Sequence, residues 1–259
     1  MKETRMLSLG AGVQSTTLAL LAVHGEIEKP EHAIFADTEI EPQSVYEHLK
    51  WLTPIMENAG IKVHNVTVGN LGEIALTSGF NPIPSYLDGK SVSLGRRQCT
   101  YQHKIRPIVA KQRELVGLKK GERWKPENGN IVSLMGISLD EIQRAKDNRV
   151  KYITNSFPLL ELGMKRIDCH NWLKENGYTA PRSACYICPY HSDKEWRELK
   201  ENPVEWKKVT DFDISMREKY PDTYLHKSCK PIDEVDFRTE EERGQGTLFD
   251  AECEGMCGL

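Results

Sequence analysis

The sequence predicts an α/β fold: a doubly wound, mostly parallel sheet with a cysteine-bearing C-terminal helical extension. Three observations predict it. Short apolar runs alternate with runs at helical spacing from the N-terminus, which is the pattern of successive strand–helix–strand units. A turn of small residues, Gly10-Ala11-Gly12, joins the first strand to the first helix. Beyond residue 190 the pattern becomes helical only and ends in an acidic tail. The 259 residues suffice for one large domain or one domain with appendages. No repeat and no low-complexity linker cuts the chain. The expected division is a nucleotide-binding domain over 1–190 and an extension over 191–259.

The elements follow in order. Arg5–Leu9 is short, apolar and followed by glycine, so it reads as a buried strand. Ser15–His24 reads as a helix with Ser15 as its cap and Gly25 as its stop. His32–Ala36 is a second strand. Ser44–Asn58 carries Val45, Leu49, Leu52, Ile55 and Met56 at helical spacing, and Gly60 ends it. Ile61–Val68 alternates apolar and polar residues as a third strand. Residues 70–97, with Gly79, Pro82, Pro84 and Gly89, read as a long loop or lid. Helical pattern returns over Thr100–Val116, a strand is expected over Asn130–Gly136, and a short helix over Leu139–Lys146. Val150–Thr154 reads as a strand, and Lys165–Glu175, Asp193–Lys200 and Val204–Glu218 read as helices.

Composition excludes several classes. Charged residues make up 28% and hydrophobic residues 39%, as in ordinary globular domains. No apolar run approaches the roughly 20 residues of a membrane span. Met1–Arg5 is polar, so no signal peptide is read and the expected compartment is the cytoplasm. A net charge of −3 excludes a strongly basic coat for nucleic acid. The seven cysteines are Cys99, Cys169, Cys185, Cys188, Cys229, Cys253 and Cys257. An odd number in such a chain points to metal or redox chemistry rather than a disulfide framework.

The segment from Ser8 to Ser15 is the sharpest motif. Small residues at Gly10, Ala11 and Gly12 let the backbone approach an anion, and the N-terminus of the following helix then points its N–H groups at it. Gln14 and Ser15 complete the loop. It lacks the lysine of a Walker A sequence, and Ser15 stands where a dinucleotide fingerprint has its third glycine. A tight turn with no ligand is the alternative reading. Asp37 stands at the carboxyl end of the second strand, where open α/β sheets bind ligands; a helix-capping aspartate is its alternative.

Gly10–Ser15 resembles the pyrophosphate loop of the adenine-nucleotide alpha-hydrolase superfamily, whose pattern is Ser-Gly-Gly-x-Asp-Ser. Gly12 and Ser15 are kept; Gly10, Ala11 and Gln14 depart from it. Phe35-Ala36-Asp37-Thr38 with Pro42 resembles the Asp-Thr-Gly … Pro-Glu element of phosphoadenosine-phosphosulfate reductases, with Glu39 in place of glycine. Gly136-Ile137-Ser138-Leu139-Asp140-Glu141 with Arg144 resembles their Gly-x-Arg-x-x-Glu-Ser-x-x-Arg region, with Ser138 in place of arginine. The resemblance implies ATP with Mg²⁺, its pyrophosphate on Gly10–Ser15 and its adenosine near Asp37, Gly136 and Arg144.

Cys185-Tyr186-Ile187-Cys188-Pro189 places two thiolates close enough to share a metal. Arg97-Gln98-Cys99-Thr100 with Lys104 and Pro107 resembles the Cys-Cys-x-x-x-Lys-x-x-Pro segment of cluster-containing adenylylsulfate reductases. The resemblance implies a [4Fe–4S] cluster on Cys99, Cys185 and Cys188, with either an open iron or Cys169 as fourth ligand. Zinc is the alternative, with His103, His170 and His191 nearby in sequence. It also implies that Lys104 reaches a nucleotide phosphate. Cys253 and Cys257, in an acidic tail, loosely resemble the catalytic Glu-Cys-Gly tail of sulfonucleotide reductases. Cys229 reads as structural.

Residues 96–125 hold ten lysines or arginines and two glutamates. Such a stretch either meets a nucleic-acid backbone or forms a solvated face. The expected function is ATP-dependent sulfur transfer to a nucleobase or nucleoside, in tRNA or another nucleic acid, through an adenylated intermediate. A sulfur donor or thiol reductant is then a partner. Two rivals stand beside it: reduction of adenylylsulfate or phosphoadenylylsulfate, and a non-catalytic zinc-stabilised nucleic-acid-binding module.

Overall fold

The computed structural model of the chain describes residues 2–89 and 91–238. Its elements in chain order are β1 (Glu3–Leu9), α1 (Val13–His24), β2 (His32–Asp37), α2 (Gln43–Asn58), β3 (Lys62–Thr67), α3 (Leu71–Thr77), β4 (Tyr86–Leu87) and β5 (Ser93–Leu94). There follow α4 (Arg106–Leu115), β6 (Asn130–Met135), β7 (Ile153–Ser156), α5 (Pro158–Glu161), α6 (Arg166–Glu175), α7 (Asp193–Glu201), α8 (Pro203–Lys219) and β8 (Thr223–Tyr224). Among the described residues no helix is long and apolar enough to cross a membrane.

The chain divides into two compact units. Unit 1 is Met1–Val68 with Tyr101–Ser183, and unit 2 is Gly69–Thr100 with Ala184–Leu259. The expected domain over 1–190 therefore gives up 69–100 and 184–190 to the second unit. Residues 70–97 are not a bare loop. Asn70 caps α3, its Oδ1 accepting from Glu73 N–H at 3.0 Å. β4 then pairs antiparallel with both β5 and β8. These elements are two to seven residues long, too short to leave a periodicity in the sequence.

In unit 1 the five strands are parallel in the order β3-β2-β1-β6-β7. The alternation of side chains along parallel strands buries both faces. Leu7, Leu9, Ala33, Phe35 and Leu134 face one core, shared with Leu18, Leu21, Leu52 and Leu173 of α1, α2 and α6. Met6, Ile34, Ile131 and Ile153 face the other, against Ile108, Val109 and Leu115 of α4. The chain winds outward through β1, β2 and β3, then returns to place β6 against β1. The strand order reverses there, so the carboxyl ends of β1 and β6 form the switch point where such sheets bind ligands.

Two boundaries differ from expectation for physical reasons. Gly12, not Ser15, is the N-cap of α1, because the helix already begins at Val13. The run from Thr100 is π-helical to Ile105 before α4 starts. Pro107 explains this: its ring clashes with the carbonyl four residues back, so an uninterrupted α-helix cannot run through 103–107, and a wider turn relieves it.

In unit 2 the C-terminal end of α3 is held by α8. Lys219 Nζ donates to the carbonyls of Leu76, at 2.7 Å, and Ser78. Tyr220 Oη donates to Ala75 O at 3.1 Å and Ser78 O at 3.2 Å. A cation and a hydroxyl thus satisfy carbonyls that a helix end leaves open.

His48 of α2 is buried, and its Nε2 is hydrogen-bonded to Thr16 Oγ1 of α1 at 2.8 Å. Burial pushes its pKa down from 6.5 to about 4. An unfolded imidazole takes up a proton below about pH 6.5, whereas the folded one resists until about pH 4. The stability this contributes is therefore present above pH 6.5 and lost progressively as pH falls to 4, by about 3 kcal/mol. The His48→Gln variant should show a shallower decline of unfolding free energy between pH 7 and 4 than the parent, measured by urea titration.

Candidate functional site

The loop between β1 and α1 is built of close backbone approaches. Ala11 is fully buried with φ +55, a left-handed conformation that costs a non-glycine residue roughly 1 kcal/mol. It stands where the pyrophosphate-loop pattern has glycine. A Cβ on Gly12 would lie 2.6 Å from Ser183 Oγ and 3.3 Å from its N. A Cβ on Gly136 would lie 2.9 Å from Ser15 N and 3.0 Å from Gln14 C. Gly136 thus lets the end of β6 touch the first turn of α1.

No side chain caps α1, so the N–H groups of its first turn have no intrahelical acceptor. Ser15 Oγ accepts from Gly12 N–H and donates to Gly12 O, both at 3.2 Å, which closes the loop on itself. Ser8 lies in the strand, in register with Ile34 and Met135. Gly10 is exposed at its end.

Gln14 projects from the first turn to the element after β6. Its Nε2 donates to Ser138 Oγ at 3.4 Å and Glu141 Oε2 at 3.3 Å. Arg144 pairs with the same Glu141 oxygen at 2.6 Å. Gln14 and Ser138 both depart from the family patterns, and they are bonded to each other. Burial pushes Asp140 up, yet hydrogen bonds from Ser138 and from Arg166 N–H outweigh it and hold the carboxyl below its ordinary value.

At the carboxyl end of β2, Asp37 Oδ1 accepts from Glu39 N–H at 2.7 Å and from Tyr46 Oη at 2.9 Å. Burial and that bond to Asp37 raise the Tyr46 pKa. Glu39 has φ +61 at the position where the reductase element has glycine, and Thr67 Oγ1 donates to its Oε1 at 2.7 Å. Lys104, in the π-helical turn, reaches Glu41 Oε1 at 3.0 Å. Thr38 Oγ1 donates to that oxygen at 3.0 Å. The Glu41 carboxylate, its side chain only 1% exposed, was not singled out in the sequence. It is legible only once β2 and the π-helical turn are adjacent.

The cysteines separate. Cys169 lies in the core of unit 1, fully buried, with its thiol hydrogen-bonded to Thr17. Burial pushes that thiol up to about 11. Cys169, expected as a fourth metal ligand, packs here among apolar side chains of unit 1. Cys99, Cys185, Cys188 and Cys229, all half-buried, belong to unit 2. Cys188 N–H donates to Cys185 O at 2.9 Å in a tight turn. His191 seals this turn, donating from its backbone to Cys188 O at 3.1 Å and from Nε2 to Cys185 O at 3.0 Å. The N–H groups of Gln98 and Cys99 both donate to Pro82 O, and the Arg97 guanidinium lies 5.1 Å from the Tyr190 ring centre. Burial raises the Tyr86 pKa, and Tyr190, Cys188 and Cys229 add to the rise.

Thiols of this kind suit iron–sulfur or zinc. Cys185 and Cys188 form a ready pair on one turn. Among the described residues no three His, Cys, Asp or Glu side chains are gathered so as to hold a metal ion. Of the histidines that favoured zinc, His103 is buried in unit 1, where desolvation lowers its pKa. His170 is exposed on α6. Cys253 and Cys257 lie outside the described residues.

The basic stretch 96–125 is not one face. Lys104 pairs with Glu41, Lys111 with Glu114 at 2.6 Å, and Lys125 with Glu127 at 3.5 Å. Arg113 donates to Tyr152 Oη and to Glu122 O. Arg106, Lys119, Lys120 and Arg123 remain exposed.

No protein-family model and no curated protein sequence matches the chain. Solved structures similar to it include two enzymes. One is a phosphoadenylyl-sulfate (PAPS) reductase from Candida auris in a phosphate complex, at 12% identity and a TM-score of 0.43, over 71% of this chain and 75% of that one. The other is the U34-tRNA thiolase NcsA from Methanococcus maripaludis with its [4Fe-4S] cluster, at 14% identity and a TM-score of 0.43. That match covers 85% of this chain and 66% of the thiolase.

Because Gly136 has no space for a methyl group, Gly136→Ala should cost about 1–3 kcal/mol by overpacking, read by urea unfolding. Cys169→Ala should lower stability without changing the metal content of anaerobically purified protein, measured by elemental analysis.

Proposed function

We propose that the chain is an enzyme that uses ATP to activate a carbonyl oxygen of a nucleobase or nucleoside for replacement by sulfur. One observation carries the reading: the uncapped N-terminus of α1 opens at the switch point of the sheet, on a loop too closely packed at Gly12 and Gly136 to carry larger side chains. That is the construction of an anion cradle.

The reaction has two steps. The acceptor oxygen attacks the α-phosphorus of ATP, the bond to the bridging oxygen breaks, and pyrophosphate leaves. Sulfide from a donor then adds at the activated carbon, and AMP departs with the C–O electron pair and a proton is released. The first-turn N–H groups of Val13 and Gln14, with the helix dipole, hold the leaving pyrophosphate. Lys104, aimed by Glu41, offsets phosphate charge. Asp37, oriented by Tyr46 and the Glu39 N–H, accepts a hydrogen bond from the nucleotide. Mg²⁺ accompanies ATP as its counter-ion.

A [4Fe–4S] group, when bound, supplies iron and sulfide chemistry. Cys185 and Cys188 would hold it, with Cys99 as the third thiolate that the resemblance implies. A nucleic-acid acceptor is consistent with the exposed cations at Arg106, Lys119, Lys120 and Arg123.

Calorimetry should show ATP binding that weakens at least tenfold in Lys104→Met. Acceptor-dependent pyrophosphate release should fall in parallel. Unchanged ATP affinity in that variant would sink the nucleotide reading. Cys185→Ala should lose bound iron and sulfide while retaining ATP affinity; full metal content in that variant would remove the C-x-x-C turn from the site.

A further inference from the structure

Unit 2 contains a cavity of about 480 Å³ that the reaction above does not use. It lies between α7, which contributes Asp193 and Arg197, and the chain from His226 to Arg238. Its charge is uneven. Arg197, Lys227, Lys230 and Arg238 line it against two carboxylates, Asp193 and Asp236.

Both carboxylates are committed. Asp236 is forked by Arg238, with Nε at 2.9 and 3.2 Å and Nη2 at 2.8 Å. Asp193 Oδ1 accepts from His226 Nε2 at 3.1 Å. Arg197 donates to Phe237 O at 2.9 Å. Lys227 and Lys230 are exposed and make no ion pair among the described residues. Four cations against two carboxylates give the described lining a net positive charge.

The remaining lining is specific in another way. His226 is 6% exposed. With its Nε2 proton given to Asp193, its Nδ1 accepts from Ser228, whose Oγ lies at 2.8 Å and whose N–H lies at 3.1 Å. The Ser228 hydroxyl therefore has its proton turned to histidine and its lone pairs open to a hydroxyl donor. Val235 and Phe237, both nearly buried, give the cavity an apolar floor. Phe237 is braced by the Trp196 and Trp206 rings, with centroids at 6.3 and 6.1 Å.

We propose that this cavity binds a phosphate-bearing nucleoside, either a free mononucleotide or one nucleotide of a strand. The phosphate sits at Lys227 and Lys230, a sugar hydroxyl donates to Ser228 Oγ, and the base covers the Val235–Phe237 floor. The volume is that of an ordinary small-ligand site. Charge-assisted bonds from two lysines supply the anion selectivity. The site stands whether or not the loop after β1 holds ATP.

The test titrates the full chain with UMP, with a fluorescein-labelled single-stranded RNA of twelve nucleotides, and with inorganic phosphate. Each titration is repeated on Lys227→Ala/Lys230→Ala and on Ser228→Ala, and ATP affinity is measured in parallel. The double variant should bind its ligand at least tenfold more weakly with ATP affinity and melting temperature unchanged, since both lysines are exposed. Ser228→Ala should weaken UMP or RNA but not phosphate. Binding of both UMP and RNA identifies a nucleotide site; RNA alone identifies a strand site. Three outcomes overturn the proposal. They are no binding of UMP or RNA by the parent chain, equal binding by the double variant, and phosphate bound as tightly as UMP.

Discussion

The structure depends on one contact between two backbones. At Gly136 the end of β6 lies against Gln14 and Ser15, with no room for a β-carbon. Because of it, the first turn of α1 sits at the point where strand order reverses. The same contact brings the chain after β6 within reach of Gln14, so that Ser138, Glu141 and Arg144 form one hydrogen-bonded group with the loop. A substitution here displaces the end of β6 and the first turn of α1 together.

A second constraint acts at the end of β2. Pro107 prevents an α-helix from running back through 103–107, and the π-helical turn that results carries Lys104. A buried carboxylate at Glu41 then requires a cation, and Lys104 meets that need at 3.0 Å. The proline's missing N–H and the glutamate's burial thus fix one lysine from opposite sides. The acidic residues around β2 are each engaged: Asp37 by Tyr46, Glu39 by Thr67 and Glu41 by Thr38.

The parallel sheet was legible in the sequence because β1 and β2 are largely buried apolar runs and α1 and α2 are 12 and 16 residues long. The expected first three strands and first two helices fall within two residues of those observed. The small sheet of unit 2 was not legible, since β4, β5 and β8 are two residues each and β4 finds β8 across more than a hundred positions. The glycine-like turn after β1 was legible despite Ala11, because the backbone holds a left-handed conformation there with a methyl group in place of hydrogen. The burial of Cys169 was not legible: its place on the helix before the C-x-x-C turn gave no sign that the thiol faces Thr17 and the core. Glu41 and the His226–Ser228 pair carry no sequence signature. Their roles arise from which elements lie beside them.

The hold of Lys219 and Tyr220 on the end of α3 also bears on the order of events during synthesis. The bonded groups are 141 to 145 residues apart. At roughly 5–20 residues per second, about seven to thirty seconds separate the emergence of α3 from that of its anchor. Unit 1 is complete in sequence at Ser183, before the anchor of α3 has been made. The Gly69–Thr100 segment is therefore made long before α8 can hold the end of α3.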